Sequence, residues 1–400
     1  MKPTLLALFL SLTLANFGRS PGLAPLPAAA APQAAQAAPS VLCLPGIYLY
    51  DPGDCLPAGP SGYLTGMAQK GITFPLAPLS YTPIDQSLGK VDYLYAEVTN
   101  RPAPIFGSID QALAGNKKGG SGQTLDGYFV FVSYTSLQEV GGKKLYEIAP
   151  GQYLTGAYLS RIGALPPARG LTFTSTPPTA FGWVLTYFAQ NPQVETKRTP
   201  GSQGQDYTGH LLNLYDIVQV FGEQKVGEEL WYLIGPDEWV LGRYIARVLP
   251  NTTPPVGVTG DRWIEINLFE QTLSVYDHRQ LVFATLIASG SDPFWTRPGL
   301  FQINQKLDTT PMTGSFEANR SDAYYLEDVP WTMYFDGPRA LHGAYWRAKM
   351  GFTQSHGCVN LTVGDAHWLY DWAGLDDWVY VWDPSGQTPT DPDQYKAGGY

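Results

Sequence analysis

The sequence contains few charged residues and few side chains that could act as nucleophiles or bind a metal. Asp, Glu, Lys and Arg make up 15% of the 400 residues, and there are three cysteines, five histidines and five methionines. The formal net charge is −10, and no stripe of Lys and Arg is visible. Nucleic acid and anionic membrane surfaces are therefore not expected as partners.

Apolar and turn-forming residues are plentiful. Apolar residues account for 44% of the chain, and there are 43 glycines and 34 prolines. Short runs such as YFVFVSY and IVQVFGE alternate apolar and polar residues between turns, which is typical of β-strands. The length exceeds one ordinary core, so we expect a mainly β protein of roughly two or three domains.

The chain begins with the only apolar run of note. MKPTLLALFLSLTLA places one Lys before about a dozen mostly apolar residues, which is short for a membrane span. Residues 1–42 are predicted to be a secretory signal peptide and a Pro/Ala linker, with cleavage after Ala15 or near Ala37. An uncleaved anchor and lipidation at Cys43 stay open. We expect the protein in the periplasm or the cell wall.

Export would permit disulfides, and three cysteines leave one over. Cys43 and Cys55 bracket a segment rich in turn formers. A bridge between them would close a small loop and add about 2–3 kcal/mol of stability in the chain-entropy model. Two unpaired thiols are the alternative. In either case Cys358 is left over, and an odd thiol in an exported protein is a candidate reactive group.

The middle of the chain contains an internal repeat. YEIAPGQYLTGAYLSRI (146–162) aligns without gaps with YLIGPDEWVLGRYIARV (232–248), at an offset of 232 − 146 = 86 residues. Residues from about 70 to 250 therefore look like two copies of one β unit. The units resemble the SH3-like domains that occur in tandem on bacterial cell-wall enzymes. A spacer role and a wall-binding role are both open.

The C-terminal third shows further strand patterns. RWIEINL, TLSVYD and LVFATLIAS alternate as three strands, Val363 to Gly374 is helix-like, and WVYVWD is a final strand. Residues 306–336 are irregular and aromatic, which predicts a covering loop.

The most informative stretch is TQSHGCVNL, residues 353–361. His356 and Cys358 are two positions apart, which on a strand places both side chains on one face. A thiol with a pKa of about 8.5 is mostly protonated at neutral pH, whereas an imidazole that takes its proton makes it a nucleophile. His342 lies 358 − 342 = 16 residues before Cys358. An inert buried cysteine and a zinc site of two histidines and one cysteine are the alternatives.

His342-Gly343 followed by SHGCVNL resembles the signature of the YkuD-type L,D-transpeptidases. That signature is HG, then some twelve residues later [ST]HGC, an apolar residue, and Arg or Asn. The resemblance covers roughly residues 260–383 and includes the aromatic strand PWTMYF (330–335) before the HG. It departs from the family in TRPGLF (296–301), where Arg297 precedes the proline.

The resemblance implies an all-β YkuD-like β-sandwich that needs no metal or cofactor. Cys358 would form an acyl-enzyme, and His342 would be the general base, with its ring held by the carbonyl of Gly343. His356 would flank the thiolate. Gly357 would contribute to the turn and to the backbone oxyanion donors.

The resemblance also implies residues that contact the substrate. Ser355 and Asn360 would set the turn and contact the acyl chain. Because Asn360 replaces a commoner Arg, Arg339 is the candidate for recognising a substrate carboxylate, although a solvated Arg is the alternative. Tyr334 and Tyr345 would line the groove, with aromatic core packing as the alternative.

The predicted organisation has six parts, which end with the segment that resembles the family. They are 1–42, the signal peptide and linker; 43–165, a first SH3-like β unit with an N-terminal extension; 166–250, a second SH3-like β unit; 251–260, a linker; 261–383, the catalytic domain; and 384–400, a disordered tail.

The implied reaction is peptide-bond exchange on peptidoglycan stem peptides. The thiolate would attack the carbonyl of the third residue and release D-Ala, and an amine of another stem would complete a 3→3 cross-link. Water as acceptor would make an L,D-carboxypeptidase, and a protein Lys would be anchored to the wall. An inactive wall-binding protein and an unrelated cysteine peptidase or amidase stay open. Carbapenems should acylate Cys358, and no obligate protein partner is expected.

Overall fold

The computed structural model describes residues 60–115, 123–315 and 322–395. The predicted leader over 1–42 and the candidate disulfide of Cys43 and Cys55 lie outside these ranges. Strands predominate over helices, as predicted. No helix in the described ranges is long and apolar enough to cross a membrane.

The first two thirds of the described chain contain two helices and eighteen strands. In chain order they are α1 (Pro60–Gln69), β1 (Thr82–Pro83), β2 (Leu94–Val98), β3 (Ala103–Pro104), α2 (Ile109–Ala114), β4 (Thr124–Leu125), β5 (Phe129–Tyr134), β6 (Ser136–Val140), β7 (Lys143–Ala149), β8 (Gln152–Thr155), β9 (Leu159–Arg161), β10 (Leu171–Thr172), β11 (Ala180–Val184), β12 (Val194–Lys197), β13 (Tyr207–Leu212), β14 (Ile217–Val220), β15 (Gly222–Val226), β16 (Glu229–Gly235), β17 (Glu238–Leu241) and β18 (Ile245–Val248).

The C-terminal segment follows with nine strands and one helix in the described residues. They are β19 (Trp263–Asn267), β20 (Thr272–Asp277), β21 (Gln280–Leu286), β22 (Gly299–Gln302), β23 (Gln305–Gly314), β24 (Tyr324–Asp336), β25 (Arg339–Gly343), β26 (Val359–Leu361), α3 (Val363–Trp372) and β27 (Trp378–Trp382).

The covering loop predicted over residues 306–336 is wrong, because β23 and β24 form a long antiparallel pair there. The register shows why the strand pattern is hidden. Between Leu326 and Val329, β24 advances three residues while β23 advances two, from Met312 to Thr310. Asp328, inside this bulge, has φ of +46°. A bulge interrupts the alternation of faces from which a strand is recognised.

The two copies of the repeat have strands at equivalent positions. Adding 86 to the bounds of β6, β7 and β8 gives those of β15, β16 and β17, and β2 corresponds to β11 in the same way. The register shifts also correspond, since one lies between Glu147 and Ala149 and the other between Leu233 and Gly235. No closed barrel is found among the described residues. The SH3-like assignment and the domain boundaries therefore stay predictions.

The first copy shares a sheet with the C-terminal segment. β5 runs parallel to β24, with Phe129–Phe131 opposite Tyr324–Leu326. The resulting strand order is β26-β25-β24-β5-β2-β9, with β23 also paired to β24. β1 and β10 extend the second large sheet, whose order is β1-β10-β21-β20-β19-β27-β22. Strands that precede residue 261 thus complete both sheets of the C-terminal segment.

The two large sheets and α3 enclose one buried apolar cluster. Its members come from β19 to β21 on one side and from β24 to β26 on the other, and they include Ile264, Leu273, Val275, Phe283, Met333, Leu341, Val359, Leu361 and Leu369. Burial of these side chains supplies the main stabilising term for the sandwich. β25, which contains the HG motif, and β26, which directly follows SHGC, lie against this cluster.

A buried carboxylate anchors α3. Asp365 accepts hydrogen bonds from the backbone N–H groups of Arg169 at 3.1 Å and Gly170 at 2.7 Å. It also accepts from the hydroxyls of Thr285 at 2.8 Å and Thr362 at 2.7 Å. Thr362 in turn caps the first turn of the helix. Asp365 therefore joins the segment between the two copies to the helix that follows β26.

The tail predicted to be disordered from residue 384 is ordered through Tyr395, so that prediction is wrong for residues 384–395. Asp383 accepts hydrogen bonds from the N–H and hydroxyl of Thr388 at 2.8 and 2.7 Å. The ring of Tyr395 lies 5.0 Å from the guanidinium of Arg339. The composition resembles that of a disordered segment, whereas these local hydrogen bonds and the contact with Arg339 order the chain.

Gly182 in β11 provides a test of the packing. A Cβ there would lie 2.4 Å from the carbonyl oxygen of Ala246 and 2.9 Å from Cγ2 of Ile245. We expect Gly182→Ala to lower the free energy of unfolding by about 1–3 kcal/mol, as measured by chemical denaturation. Gly163→Ala is the matched control, because no heavy atom lies within 4 Å of a Cβ at that position. Equal unfolding midpoints for the two variants would contradict the packing.

Candidate active site

β25 and β26 bring the two halves of the motif side by side. The strands are parallel, with Leu341 opposite Val359 and His342 opposite Asn360. Cys358 immediately precedes β26, two residues before Asn360, so it belongs to the same face as His342. The fold therefore brings the HG and SHGC segments together, and joint action of His342 and Cys358 stays a prediction. It sets Asn360, rather than Cys358, directly across from His342.

The ring of His342 is buried and oriented. His342 is 1% exposed, and its Nδ1 lies 3.3 Å from the carbonyl oxygen of Gly343. A carbonyl oxygen only accepts, so Nδ1 carries the proton and Nε2 keeps a lone pair. Burial lowers the pKa of His342 to about 4, which keeps the imidazole neutral at neutral pH. His342 can therefore accept a proton through Nε2.

The thiol of Cys358 is partly buried beside the turn between β24 and β25. Sγ lies 3.8 Å from the carbonyl oxygen of Pro338. Burial raises the pKa of Cys358, and the N–H of Ala340 and the charge of Arg339 act in the opposite direction. No hydrogen bond of the described residues joins this thiol to His342. Burial therefore favours a neutral thiol beside a neutral imidazole.

The hydroxyl of Ser355 shapes the turn that carries the thiol. It accepts a hydrogen bond from the N–H of Gly357 at 3.1 Å and donates to the carbonyl oxygen of Cys358 at 2.5 Å. Gly357 has φ of +115°, and a Cβ there would lie 3.1 Å from Nε of Arg339. Glycine is required on both grounds. Because Ser355 engages the Gly357 N–H, the N–H of Cys358 is the better candidate for an oxyanion donor.

Thr296 is a supporting residue that the sequence analysis did not single out. Its buried hydroxyl donates to the carbonyl oxygen of Gly357 at 2.9 Å and accepts from the N–H of Gly290 at 2.9 Å. The signal was present, because Thr296 opens the TRPGLF stretch that was compared with the family. Through Thr296, the TRPGLF stretch therefore supports the backbone of the SHGC turn.

Aromatic rings surround the thiol and His356. The exposed His356 lies against Phe294 at a centroid distance of 4.8 Å and against Tyr324 at 5.6 Å. Burial and the proximity of Cys358 raise the pKa of Tyr324 and of Tyr334. Tyr334 therefore lies near the thiol, as expected of a groove residue, and Tyr324 is an addition that the sequence did not indicate.

Two of the predicted substrate contacts are instead parts of the core. Asn360 is 1% exposed, and its Nδ2 donates to the carbonyl oxygen of Ala288 at 3.2 Å. Tyr345 is also 1% exposed, with its ring stacked on Tyr95 at 3.6 Å and its hydroxyl donating to the carbonyl of Glu327 at 2.7 Å. The prediction that these side chains contact the substrate is wrong, because both are buried with their polar groups engaged.

The arginine predicted to recognise a carboxylate already has an acidic partner. Nη1 of Arg339 lies 3.2 Å from Oδ2 of Asp336. Arg297, the residue that departs from the family pattern, also pairs with Asp336, and its Nε lies 2.9 Å from Oδ2. One nearly buried carboxylate therefore neutralises part of the charge of both arginines beside the turn.

The remaining histidines lie apart from this site. His210 pairs with Glu238 and His278 with Asp261, while Nδ1 of His367 lies 3.0 Å from the carbonyl oxygen of Leu88. Within the described ranges, no group of three or more His, Cys, Asp or Glu side chains is arranged to hold a metal ion.

Comparison with known proteins agrees with the motif. Residues 261–381 match the YkuD family model, which describes an L,D-transpeptidase catalytic domain. The protein YciB of Bacillus subtilis (strain 168), by its name a candidate L,D-transpeptidase, is 26% identical over 127 residues. This match covers 27% of the present chain and 59% of YciB, so the chain spans little more than half of that relative.

Solved structures give partial matches. An L,D-transpeptidase from Stackebrandtia nassauensis is 25% identical with a TM-score of 0.24, covering 32% of this chain and 58% of that one. The catalytic domain of an Enterococcus faecium L,D-transpeptidase is 24% identical with a TM-score of 0.28, covering 32% and 100%. The family match supports an L,D-transpeptidase catalytic domain in residues 261–381.

We expect Ser355→Ala to lower the melting temperature, because it leaves a buried N–H at Gly357 and a carbonyl at Cys358 without their partner. Such losses cost about 1–3 kcal/mol each. Ser291→Ala is the matched control, since the hydroxyl of Ser291 makes a single hydrogen bond of 3.4 Å to the carbonyl of Ser355. Equal melting temperatures for both variants would show that the hydroxyl does not hold the turn.

The neutral resting pair predicts how thiol alkylation depends on pH. The raised pKa of Cys358 keeps the thiol protonated at neutral pH, so its reaction with iodoacetamide should accelerate steadily as pH rises from 6 to 9. Peptide mass spectrometry assigns the label to Cys358 rather than to Cys43 or Cys55. A rate that is already constant from pH 5 to 8 would indicate a thiolate–imidazolium pair and contradict the prediction.

Proposed function

We propose that this protein is an L,D-transpeptidase that acts outside the cytoplasm on peptidoglycan stem peptides, through an acyl-enzyme on Cys358. The observation that carries the proposal is the parallel pairing of β25 and β26 inside the segment that matches the YkuD family. This pairing sets Cys358 and His342 on one face, and the Gly343 carbonyl leaves Nε2 of the imidazole free to take a proton.

The acylation step follows from these positions. Nε2 of His342 takes the thiol proton while Sγ of Cys358 attacks the carbonyl carbon of the third stem residue. The N–H of Cys358 donates to the developing oxyanion. The C–N bond then breaks, the imidazolium gives its proton to the departing D-Ala amine, and a thioester remains. An imidazolium whose pKa is about 4 is a strong enough acid to release that proton readily.

Deacylation reverses the same proton path. The amine of a second stem attacks the thioester carbonyl, His342 takes the proton that this amine loses, and the proton returns to the sulfur of Cys358 as the C–S bond breaks. The product is a 3→3 cross-link. Water would give an L,D-carboxypeptidase, and a protein Lys would give wall anchoring, by the same steps. We propose the stem amine as the main acceptor, because its attack on the thioester forms a new peptide bond in place of the one that was cleaved.

An inactive wall-binding protein is the principal alternative. Two departures from the family pattern favoured it, namely Arg297 in the TRPG turn and Asn360. Arg297 pairs with Asp336, and Thr296 beside it supports Gly357. Asn360 bonds to Ala288 in the core. Both departures therefore have structural partners and leave the thiol and imidazole in place, which favours an active site.

For the repeat we propose a binding role rather than that of a bare spacer. The second copy contains a cleft of about 760 Å³ lined by Tyr207, Trp231 and Tyr244. The first copy has a smaller cleft of about 510 Å³ at equivalent positions, since Tyr158 there corresponds to Tyr244. A cleft that recurs in both copies is consistent with contact to the wall polymer.

The test uses the chain without its predicted leader, residues 43–400, and a purified disaccharide-tetrapeptide. We expect mass spectrometry to show a dimer lacking one D-Ala and, with a carbapenem, a one-to-one adduct on Cys358. Cys358→Ala should give neither product. His342→Gln should slow D-Ala release about 10²–10⁴-fold, the usual loss when a general base is removed. Gly163→Ala serves as the control for the expression and purification of a variant, because a side chain at that position meets no neighbouring atom.

The products distinguish the alternatives. Release of D-Ala without a dimer would identify water as the acceptor. Folded protein that gives no product and no adduct would contradict the enzyme and leave wall binding by the repeat. Product formation by Cys358→Ala would exclude the acyl-enzyme.

A further inference from the structure

Arg347 is a half-buried cation without an acidic partner in the described chain. It lies in the loop between β25 and the SHGC motif. Nη1 donates to Oε1 of Gln354 at 3.0 Å, and Nη2 donates to the carbonyl oxygen of Gln354 at 2.5 Å. Nε is buried and has no hydrogen-bond partner in the described residues. Two nitrogens of the guanidinium, Nη1 and Nη2, thus bond to neutral groups, and Nε has no partner in the described residues.

Nε of Arg339 is likewise buried without a hydrogen-bond partner in the described residues, but the two arginines beside the SHGC turn differ from Arg347 in having an acidic partner. Arg339 and Arg297 both pair with Asp336. Removing a guanidinium from water without a counter-charge is costly. Burial accordingly lowers the pKa of Arg347 to about 10. A buried charge that no protein carboxylate balances is the feature expected of a position that receives an anion.

The loop holds Arg347 beside the reacting groups. Gln354, which accepts both of its hydrogen bonds, directly precedes Ser355, and the N–H groups of Gln354 and Ser355 both donate to the carbonyl oxygen of Ser289 at 2.9 Å. After burial, the charge of Arg347 is the next influence that lowers the pKa of His356, and it also lowers that of His342. Arg347 is therefore joined through Gln354 to the segment that carries Ser355 and the thiol, and its charge acts on both site histidines.

Resting on the proposed function, we propose that Arg347 binds a carboxylate of the donor stem within one residue of the bond that is cleaved. Two groups have this chemistry, namely the carboxylate of the terminal D-Ala and the second carboxylate of a diamino diacid at the third position. A guanidinium binds either through paired N–H donors. Arg339, the residue considered for this role from the sequence, pairs with Asp336, and Asn360, which replaces the commoner Arg of the family pattern, bonds to Ala288.

The competing explanation is that Arg347 only tethers Gln354. Gln354→Ala separates the two roles, because it removes the side-chain half of the tether and leaves the charge in place. Arg347→Gln removes the charge, and Arg347→Lys keeps the charge but loses the paired donors.

The experiment measures kcat/KM for release of the fourth residue from three disaccharide-tetrapeptides. One has both carboxylates free, one has the diacid side chain amidated, and one ends in D-alaninamide. We expect Arg347→Gln to lose about 10–100-fold with the free-acid substrate, the value of a hydrogen-bonded charge pair. With the substrate whose recognised carboxylate is amidated, wild type and Arg347→Gln should become equal. The amide that produces this equality identifies the carboxylate.

The controls make the outcomes separable. Gln354→Ala should affect all three substrates to the same extent. If Arg347→Gln does the same, or if amidation leaves the wild-type rate unchanged in both cases, the carboxylate role is overturned. If Arg347→Gln fails to fold, the rates of wild-type protein on the three substrates still identify the recognised carboxylate. Arg347→Lys, which keeps the charge and loses the paired donors, then serves as the variant. Wild-type protein that is inactive on all three substrates overturns the proposed function itself.

Discussion

The hydrogen bonding of β24 to three neighbouring strands is the constraint on which the site depends. β24 pairs with β23 along most of its length, with β5 near its beginning and with β25 at its end. β25 then pairs with β26; His342 lies in β25, and Cys358 directly precedes β26. Because β5 belongs to the first copy of the repeat, the sheet that contains β25 and β26 extends beyond residues 261–381. The N-terminal half is therefore part of the scaffold of the site.

Burial sets the chemistry of the resting site. It raises the pKa of Cys358 and lowers that of His342, so both groups favour their neutral forms. Under the proposed function, proton transfer would accompany attack on a substrate instead of preceding it. Ser355 and Thr296 hold the backbone of the turn through hydroxyls, so the thiol is positioned before a substrate arrives. Arg347 meets no carboxylate within the described part of the chain.

Sequence patterns were reliable where the cause is local. The SHGC spacing, the helix starting at Val363 and the strand TLSVYD each depend on neighbouring residues, and the structure places them as expected. The repeat at an offset of 86 was also visible, because each copy keeps its turn residues. The loop predicted over 306–336 failed because the bulge at Asp328 breaks the alternation of a strand. The prediction that Tyr345 lines the groove failed for another reason, since an aromatic side chain suits a groove and a core equally well.

The sequence by itself determined the identity of the reactive groups and the turn that presents them. Ser355, Gly357 and Cys358 are so close along the chain that the hydroxyl of Ser355 reaches the backbone of the other two. Only the tertiary structure decided which charges are balanced. Arg339 meets Asp336, Asn360 meets Ala288, and Arg347 meets no carboxylate in the described chain. The pair of Arg297 and Asp336 and the contact of Asn360 with Ala288 join positions that are distant along the chain, and strand pairing and core packing bring them together. The electrostatics of the site are therefore a property of the folded chain.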